Sequence, residues 1–294
     1  IKIEPSFPLN FSYRRKEIGH FKTRLELLRM TEILDLPEGC IATILSRTTP
    51  VDAGRFSLIS KTFRSAADSD AVWNQFLPSD SNFIASVVSQ FPSLANAPTK
   101  KALYLALSDH PIIVDHGYKS VQLDRKSGNF RYMLAARSLT IIWSDHDDYW
   151  KWIDLPYSRF PEVAELLNVC WFDIHGTINT VALSSNTEYA AYLVFKMVDP
   201  HGFQNRPVEL SVFVEGGHSS TKNVCLDPNV RHRSHNRVVG LQCPTVRSDG
   251  WSEIEMGEFF NSGIENEEVH MKVLETAGNW KRGFFVEGIE VRPK

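Results

Sequence analysis

Apolar positions along the chain change period once. From Leu34 they recur at helical spacing, and past Gly117 they alternate. "LPEGCIATIL" from Leu36 predicts a short helix with Pro37 at its first position, where the missing N–H costs nothing. Ile41, Ile44 and Leu45 then share one face. "TTPVD" predicts a second start: Thr49 caps, Pro50 is first in the helix, and Asp52 stands three residues after the cap. Phe56, Ile59 and Phe63 continue the apolar face. "SKTFRSAADSDAVWNQFLP" predicts a third helical stretch, broken near "DSD" and closed by Pro78. Isolated helices shorter than ~12–15 residues are marginal in water, so these must share a core or dock on a partner.

Further helical patterns, "NFIASVVSQF" and "KKALYLALSD", lie between Pro78 and Gly117 and carry too many apolar residues for a solvated linker. "CWFDIHGTINT", "YAAYLVFKMVD", "VELSVFVEGG", "WSEIEMGEFF", "EVHMKVLET" and "GFFVEGIEVRP" then read as strands between Gly, Pro, Asn and Asp turns. In "VELSVFVEG", Val208, Leu210, Val212 and Val214 point one way, and Glu209, Ser211 and Glu215 the other. One buried face per sheet is the mark of an antiparallel sandwich. "PEVAELLNV" from Pro161 reads as a short helical insert. The expected organisation is therefore α+β. Residues 1–30 form a leader, 31–78 an all-α unit, 79–118 a helical connector and 119–294 an antiparallel β-sandwich.

Bulk properties narrow the function classes. Two domains suit 294 residues, and a net charge of -3 gives no basic field for nucleic acid or anionic membrane. No run of ~18 apolar residues is present to span a membrane. Cys40, Cys170, Cys225 and Cys243 are scattered without a CxxC pair and read as reduced thiols of a cytoplasmic or nuclear protein, with a disulfide as the alternative.

Catalytic chemistry finds no constellation to work with: no GxSxG, Walker loop or GxGxxG context occurs, so no enzyme activity and no cofactor are expected. His232 and His235 in "HRSH" are flanked by Arg231, Arg233 and Arg237, which repel a cation; they read as a solvated loop, not a metal site. "SDHDD" (Asp145 to Asp148) lacks the Gly and terminal Glu of a calcium loop and reads as a surface turn between strand and helix. Around it stand Trp143, Tyr149, Trp150 and Trp152, three of the seven tryptophans within ten positions. Two readings stay open: core packing, or an aromatic wall that stacks on a sugar ring beside hydrogen-bonding carboxylates.

Two resemblances sharpen this picture. Leu36–Leu77 resembles the F-box family through "LP" at Leu36–Pro37, Glu38, "IL" at Ile44–Leu45, "PVD" at Pro50–Asp52, "LISKTFR" from Leu58 and "DAVW" ending at Trp73. The resemblance implies docking on a Skp-type adaptor and, through it, on a cullin–RING ubiquitin ligase. It places Leu36, Pro37, Ile41, Leu45, Pro50 and Val51 at that interface. Leu58, Ile59, Phe63 and Trp73 have an internal core as their alternative.

About Lys119–Lys294 resembles the plant phloem protein 2 family through "YMLAARSLTIIW", "DYWKW", "PEVAELLNVCWFDIHGTINT", "YAAYLVFKM", "RSDGWSEIEMGEFFN" and "RPK". This implies a jelly-roll type β-sandwich. The family's lectin group binds N-acetylglucosamine-containing glycans without a metal, and its sugar-associated residues match Trp143, Trp150, Glu268 and Glu275. Gln122 in "VQLD" departs from the "FWLD" of many relatives, and "STKNVCLDPNVRHRSHNR" stands where the lectin carries a lysine run. Together the resemblances imply a substrate receptor whose sandwich binds a glycan-bearing or protein target, or else a lectin with an idle F-box.

Overall fold

The structure, a computed structural model, describes residues 36–77, 85, 87–88, 91–204, 206–215, 217, 219–227 and 240–294. The expected leader, Pro78, most of "NFIASVVSQF" and "HRSH" lie outside the described residues. The chain divides into two compact units between Phe76 and Leu77.

The first unit holds α1 (Glu38–Leu45), α2 (Pro50–Phe56), α3 (Lys61–Asp68) and α4 (Asp70–Phe76). Pro37 sits one position earlier than expected: its extended ψ of 143° makes it the cap of α1, and its carbonyl accepts from the Cys40 and Ile41 amides. The second start follows expectation. Thr49 Oγ1 accepts from the Asp52 amide at 3.1 Å and donates to the Asp52 carboxylate at 2.8 Å, with Pro50 opening the helix. Ser60 caps α3 in the same way, through the Phe63 amide. Ser69 is the break in the third stretch, and the Trp73 indole N–H bonds back to the Ala67 carbonyl across it. Ile41, Leu45, Ala53, Phe63, Ala66, Val72 and Trp73 are among the unit's buried residues. Ile44, Phe56 and Ile59, expected on that face, are exposed instead. With helices of seven or eight residues, two turns give each only one narrow inward stripe.

The second unit includes α5 (Lys100–Asp109), which Thr99 caps through the Ala102 amide. Its strands begin earlier than the expected boundary at 119. β1 (Ile112–Val114) pairs with β2 (Lys119–Leu123) inside the segment read as a connector. That segment is also joined to the sandwich by side chains: Tyr104 donates to the Asp124 carbonyl at 3.1 Å and Gln122 to the Ser108 carbonyl at 2.9 Å.

The remaining strands are β3 (Phe130–Ala135), β4 (Thr140–Ile141), β5 (Trp150–Ile153), β6 (Val163–Leu166), β7 (Phe172–Asn179), β8 (Thr187–His201), β9 (Val208–Val214), β10 (Ser219–Val224), β11 (Thr245–Val246), β12 (Ser252–Asn261), β13 (Glu268–Glu275) and β14 (Arg282–Pro293). They form a nine-stranded sheet, β1-β2-β3-β14-β8-β12-β11 with β6 and β5 joined through β14, and a five-stranded sheet, β10-β9-β13-β7-β4. All these ladders are antiparallel.

"PEVAELL" is the main departure from the expected elements. It is strand β6, wedged between β5 and β14, with Val163, Ala164 and Leu166 buried. Its local composition favours a helix, but pairing on both sides satisfies every strand neighbour and overrides that preference. The turn at "SDHDD" likewise leads into a strand, β5, not a helix.

The two sheets close on an aromatic cluster. Phe172 from the smaller sheet meets Phe284 and Phe203 edge-on, at ring-centroid distances of 5.1 and 5.5 Å, and stacks on Trp150 at 6.2 Å. Phe195 stacks on Phe284 at 5.0 Å. Nearby the sheets approach so closely that a Cβ on Gly176 would lie 3.0 Å from Leu139 and 3.1 Å from Ile289.

The opposite face of the larger sheet carries a charged network. Arg292 clamps Glu253 through two bonds of 2.7 and 2.8 Å, and Arg247 bridges Glu253 and Glu290. Beside it Glu287 is buried, accepting from the Arg159 amide at 2.7 Å and from Ser158 Oγ at 3.2 Å. Burial holds its carboxyl above the ordinary carboxylate range. Folding therefore favours the protonated form, an advantage present below the unfolded value of ~4.3 and lost as pH rises through the folded value. Glu287→Gln keeps an accepting oxygen and carries no charge. Its melting temperature should exceed the wild type's at pH 7.5, with the gap closing toward pH 4.5. A variant less stable than wild type at pH 7.5 would contradict this.

Candidate functional site

Trp143 and Trp150 diverge at the end of β4. Ile141 pairs with Ile174, and the Ile142 amide still bonds to the Asp173 carbonyl, at 3.1 Å. At Trp143 the chain turns away with φ 66°, the left-handed region, which a bulky L-residue enters at a cost of about 1–3 kcal/mol. The turn is held by backbone bonds from Ser144 to Ile141, His146 to Trp143, and Tyr149 and Trp150 to His146. It leaves Trp143 49% exposed. The His146 and Tyr149 rings stand 6.0 and 6.1 Å from Trp143 and 5.9 Å from each other, a three-ring surface cluster. Asp145, Asp147 and Asp148 are exposed around it. An exposed indole with neighbouring carboxylates can stack on the apolar face of a sugar and accept hydrogen bonds from its hydroxyls.

Trp150 takes no part in this surface. It is 1% exposed, lies against Phe172, and donates to the Ile142 carbonyl at 3.1 Å. Where the resemblance implies a sugar-stacking face, its position in β5 points the side chain between the sheets. Trp152 is half-buried, and the Arg137 guanidinium, held by Glu162, covers its ring at 3.7 Å.

The two glutamates are also separated. Glu275 is buried and paired with Lys281, which is fully buried and also donates to the Asn279 and Cys170 carbonyls. This pair ties the β13–β14 turn to the start of β7; Glu275 is not free to take a ligand. Glu268 is exposed, but it opens β13 where Glu275 ends it, opposite Asn179 rather than Phe172. Seven strand residues at ~3.3 Å each set the two about 23 Å apart. The structure thus brings Trp143, Trp150 and Glu275 to one end of the sandwich and leaves Glu268 at the other.

Two residues missed in the sequence belong to the end that Trp143 occupies. Trp171 precedes β7 and is 50% exposed; Trp280 adjoins the Val169–Lys281 bridge and is 51% exposed. Trp171 sits in a strand-like run, where a tryptophan reads as core, and only knowing that Phe172 points inward would have shown it facing out; Trp280 lies in the turn between β13 and β14.

In the helical unit the expected adaptor residues also separate. Ile41 and Leu45 are each 1% exposed and Pro50 is buried, so these three expected adaptor residues lie in the unit's own core. Leu36 and Val51 are half-buried and Pro37 is exposed. Ile44, Phe56, Leu58 and Ile59 provide the exposed apolar surface, Leu58 at 77%. Phe63 and Trp73 are internal, which settles two of the four open positions.

Comparison with known proteins defines the class first: an F-box domain matches residues 33–75, and a phloem protein 2 domain residues 129–293. F-box protein PP2-B10 of Arabidopsis thaliana is 44% identical over 261 residues, 87% of this chain and 92% of the relative. F-box protein PP2-B1 is 36% identical over 92% of each chain, and F-box protein VBF 38% identical over 88% of this chain and 99% of the relative, both from the same plant. The chain belongs to this family of F-box proteins with a phloem protein 2 domain. Solved structures with a likeness include TmCBM61 in complex with β-1,4-galactotriose, at 12% identity and TM-score 0.26, covering 53% of this chain and 87% of that one. The Podospora anserina GH26-CBM35 mannanase follows at 9% and 0.30, covering 56% and 28%. At these scores neither carries an argument.

The divergence of the two tryptophans is testable by stability alone. Trp150→Ala should cost about 3–5 kcal/mol, as expected for a large core aromatic, and Trp143→Ala less than about 1 kcal/mol. Thermal denaturation followed by near-ultraviolet circular dichroism reads both; equal losses would contradict the assignment.

Proposed function

We propose that the chain is the substrate receptor of a cullin–RING ubiquitin ligase, working in the cytoplasm or nucleus. The family membership supports an F-box that holds a Skp-type adaptor. The single observation that carries the residue assignment is the exposed apolar set of Ile44 and Phe56, on helices too short to be stable alone, and Leu58 and Ile59 in the turn that follows α2. A compact unit that already buries Ile41 and Leu45 presents these four, with Pro37 and Val51, to its partner. Catalysis is indirect: holding a target beside the ubiquitin-loaded enzyme raises the effective concentration of its lysines.

The sandwich binds its target through the rim around Trp143. An N-acetylglucosamine-containing glycan fits this rim, with Trp143 as the stacking face and the Asp145–Asp148 turn as hydrogen-bond acceptor. What supports this is the left-handed, exposed Trp143 with its His146 and Tyr149 neighbours: strain held at a surface aromatic is a feature of ligand clamps. Trp171 and Trp280 at the same end extend the aromatic surface.

Co-expression with a Skp-type adaptor and size-exclusion chromatography test the first part. Wild type should co-elute one-to-one, and Ile44→Asp with Leu58→Asp should separate the two while both units stay folded. Full co-elution of the double variant would overturn the interface. For the second part, Trp143→Ala should lose at least ten-fold in affinity for N-acetylglucosamine oligomers at unchanged melting temperature. Equal affinity would remove Trp143 from the site; no binding by wild type would turn the rim into a protein-binding surface.

A further inference from the structure

Cys225 and Cys243 lie far apart in sequence and side by side in the fold. Val224, at the end of β10, and Gln242 form an isolated parallel bridge, and the Cys225 amide bonds to the Gln242 carbonyl at 2.9 Å. One residue further on each segment, Cys225 faces Cys243 across one strand spacing, ~4.8 Å. That is within the ~4.4–6.8 Å between Cα atoms that a disulfide spans. The side chains meet: Cys243, with Leu241, packs on Cys225, and both thiols are free. Each donates to a carbonyl two residues away, Cys225 to Asp227 at 3.3 Å and Cys243 to Leu241 at 3.6 Å. They differ in access. Cys225 is 1% exposed and Cys243 half-buried. Burial, then the neighbouring Cys243, pushes the Cys225 thiol up to about 11, so Cys225 is the thiol less able to start a reaction.

We propose that Cys225 and Cys243 form a peroxide-responsive dithiol that oxidises to a disulfide between them. Cys243 meets the oxidant. Its thiolate attacks one oxygen of hydrogen peroxide; the S–O bond forms, the O–O bond breaks, and the departing hydroxide takes up the thiol's proton as water. Cys243 is then a sulfenic acid. Cys225 sulfur attacks it; the S–S bond forms, the S–O bond breaks, and hydroxide leaves with the Cys225 proton as a second water. Two electrons pass from the cysteines to the peroxide, and thiol reductants reverse the change. Cys40, exposed on α1, has no such neighbour among the four cysteines and serves as an internal control.

The test uses the reduced, folded full chain, treated with hydrogen peroxide, blocked with a thiol alkylator and mapped by peptide mass spectrometry. A Cys225–Cys243 cross-linked peptide, lighter by two hydrogens and restored by dithiothreitol, is expected. In Cys225→Ser, Cys243 should advance to the sulfinic acid, since its resolving partner is gone. Absence of the cross-link in wild type while Cys40 is oxidised would overturn the proposal. So would a cross-link that forms only after denaturation. The wild-type result decides the matter even where the serine variant fails to fold.

Discussion

The contact of Phe172 with Phe284 is the constraint on which the sandwich depends. It joins the first residue of β7 in one sheet to the third residue of β14 in the other, and β14 itself pairs with β3, β6 and β8. Trp150, Phe195 and Phe203 complete the cluster, so both sheets close on five rings. Fixing Phe172 inward forces its neighbours outward, which is why Trp171 stands in solvent. Fixing Trp150 against Phe172 shortens the path back from β4, and the chain meets that limit with a tight turn led by a left-handed Trp143. The exposed aromatic rim is therefore a consequence of how the core closes. The buried Lys281–Glu275 pair acts beside it, holding the turn before β14 to the residues that precede β7.

The helical unit solves a different problem. Four short helices cannot bury every apolar residue they carry, and the split between Ile41 with Leu45 inside and Ile44 with Phe56 outside follows from two-turn geometry. What remains outside is an apolar surface in need of a cover. A small core and an exposed apolar face are thus two results of one sequence.

Much of this was legible in the residues. Alternation in "VELSVFVEG" is reproduced position by position in β9, and the Thr49 cap, the Pro50 start and the Ser69 break stand as read. Family motifs pointed to both domains. Misreadings fell where long-range pairing outweighs local pattern. "PEVAELL" has helical composition, yet β5 and β14 claim it from both sides. The site was half legible for the same reason. Residue types at Trp143, Trp150, Glu268 and Glu275 say nothing of which side chain faces inward or which strand end each occupies, and those are settled only by the register of β13 on β7 and by the Phe172 cluster. Thiol proximity at Cys225 and Cys243 was invisible because it depends on an isolated bridge between distant segments.

The central claim is that the closing of the core divides the two tryptophans, one sealed and one offered to ligand. Indole N–H resonances of nitrogen-15-labelled full chain test it most directly, through hydrogen exchange and titration with chitotriose. The account predicts that the Trp150 indole proton, bonded to the Ile142 carbonyl, is protected and unmoved by ligand, whereas that of Trp143 exchanges freely and shifts. A Trp150 proton that exchanges as fast as that of Trp143, or a shift confined to Trp150, would contradict it.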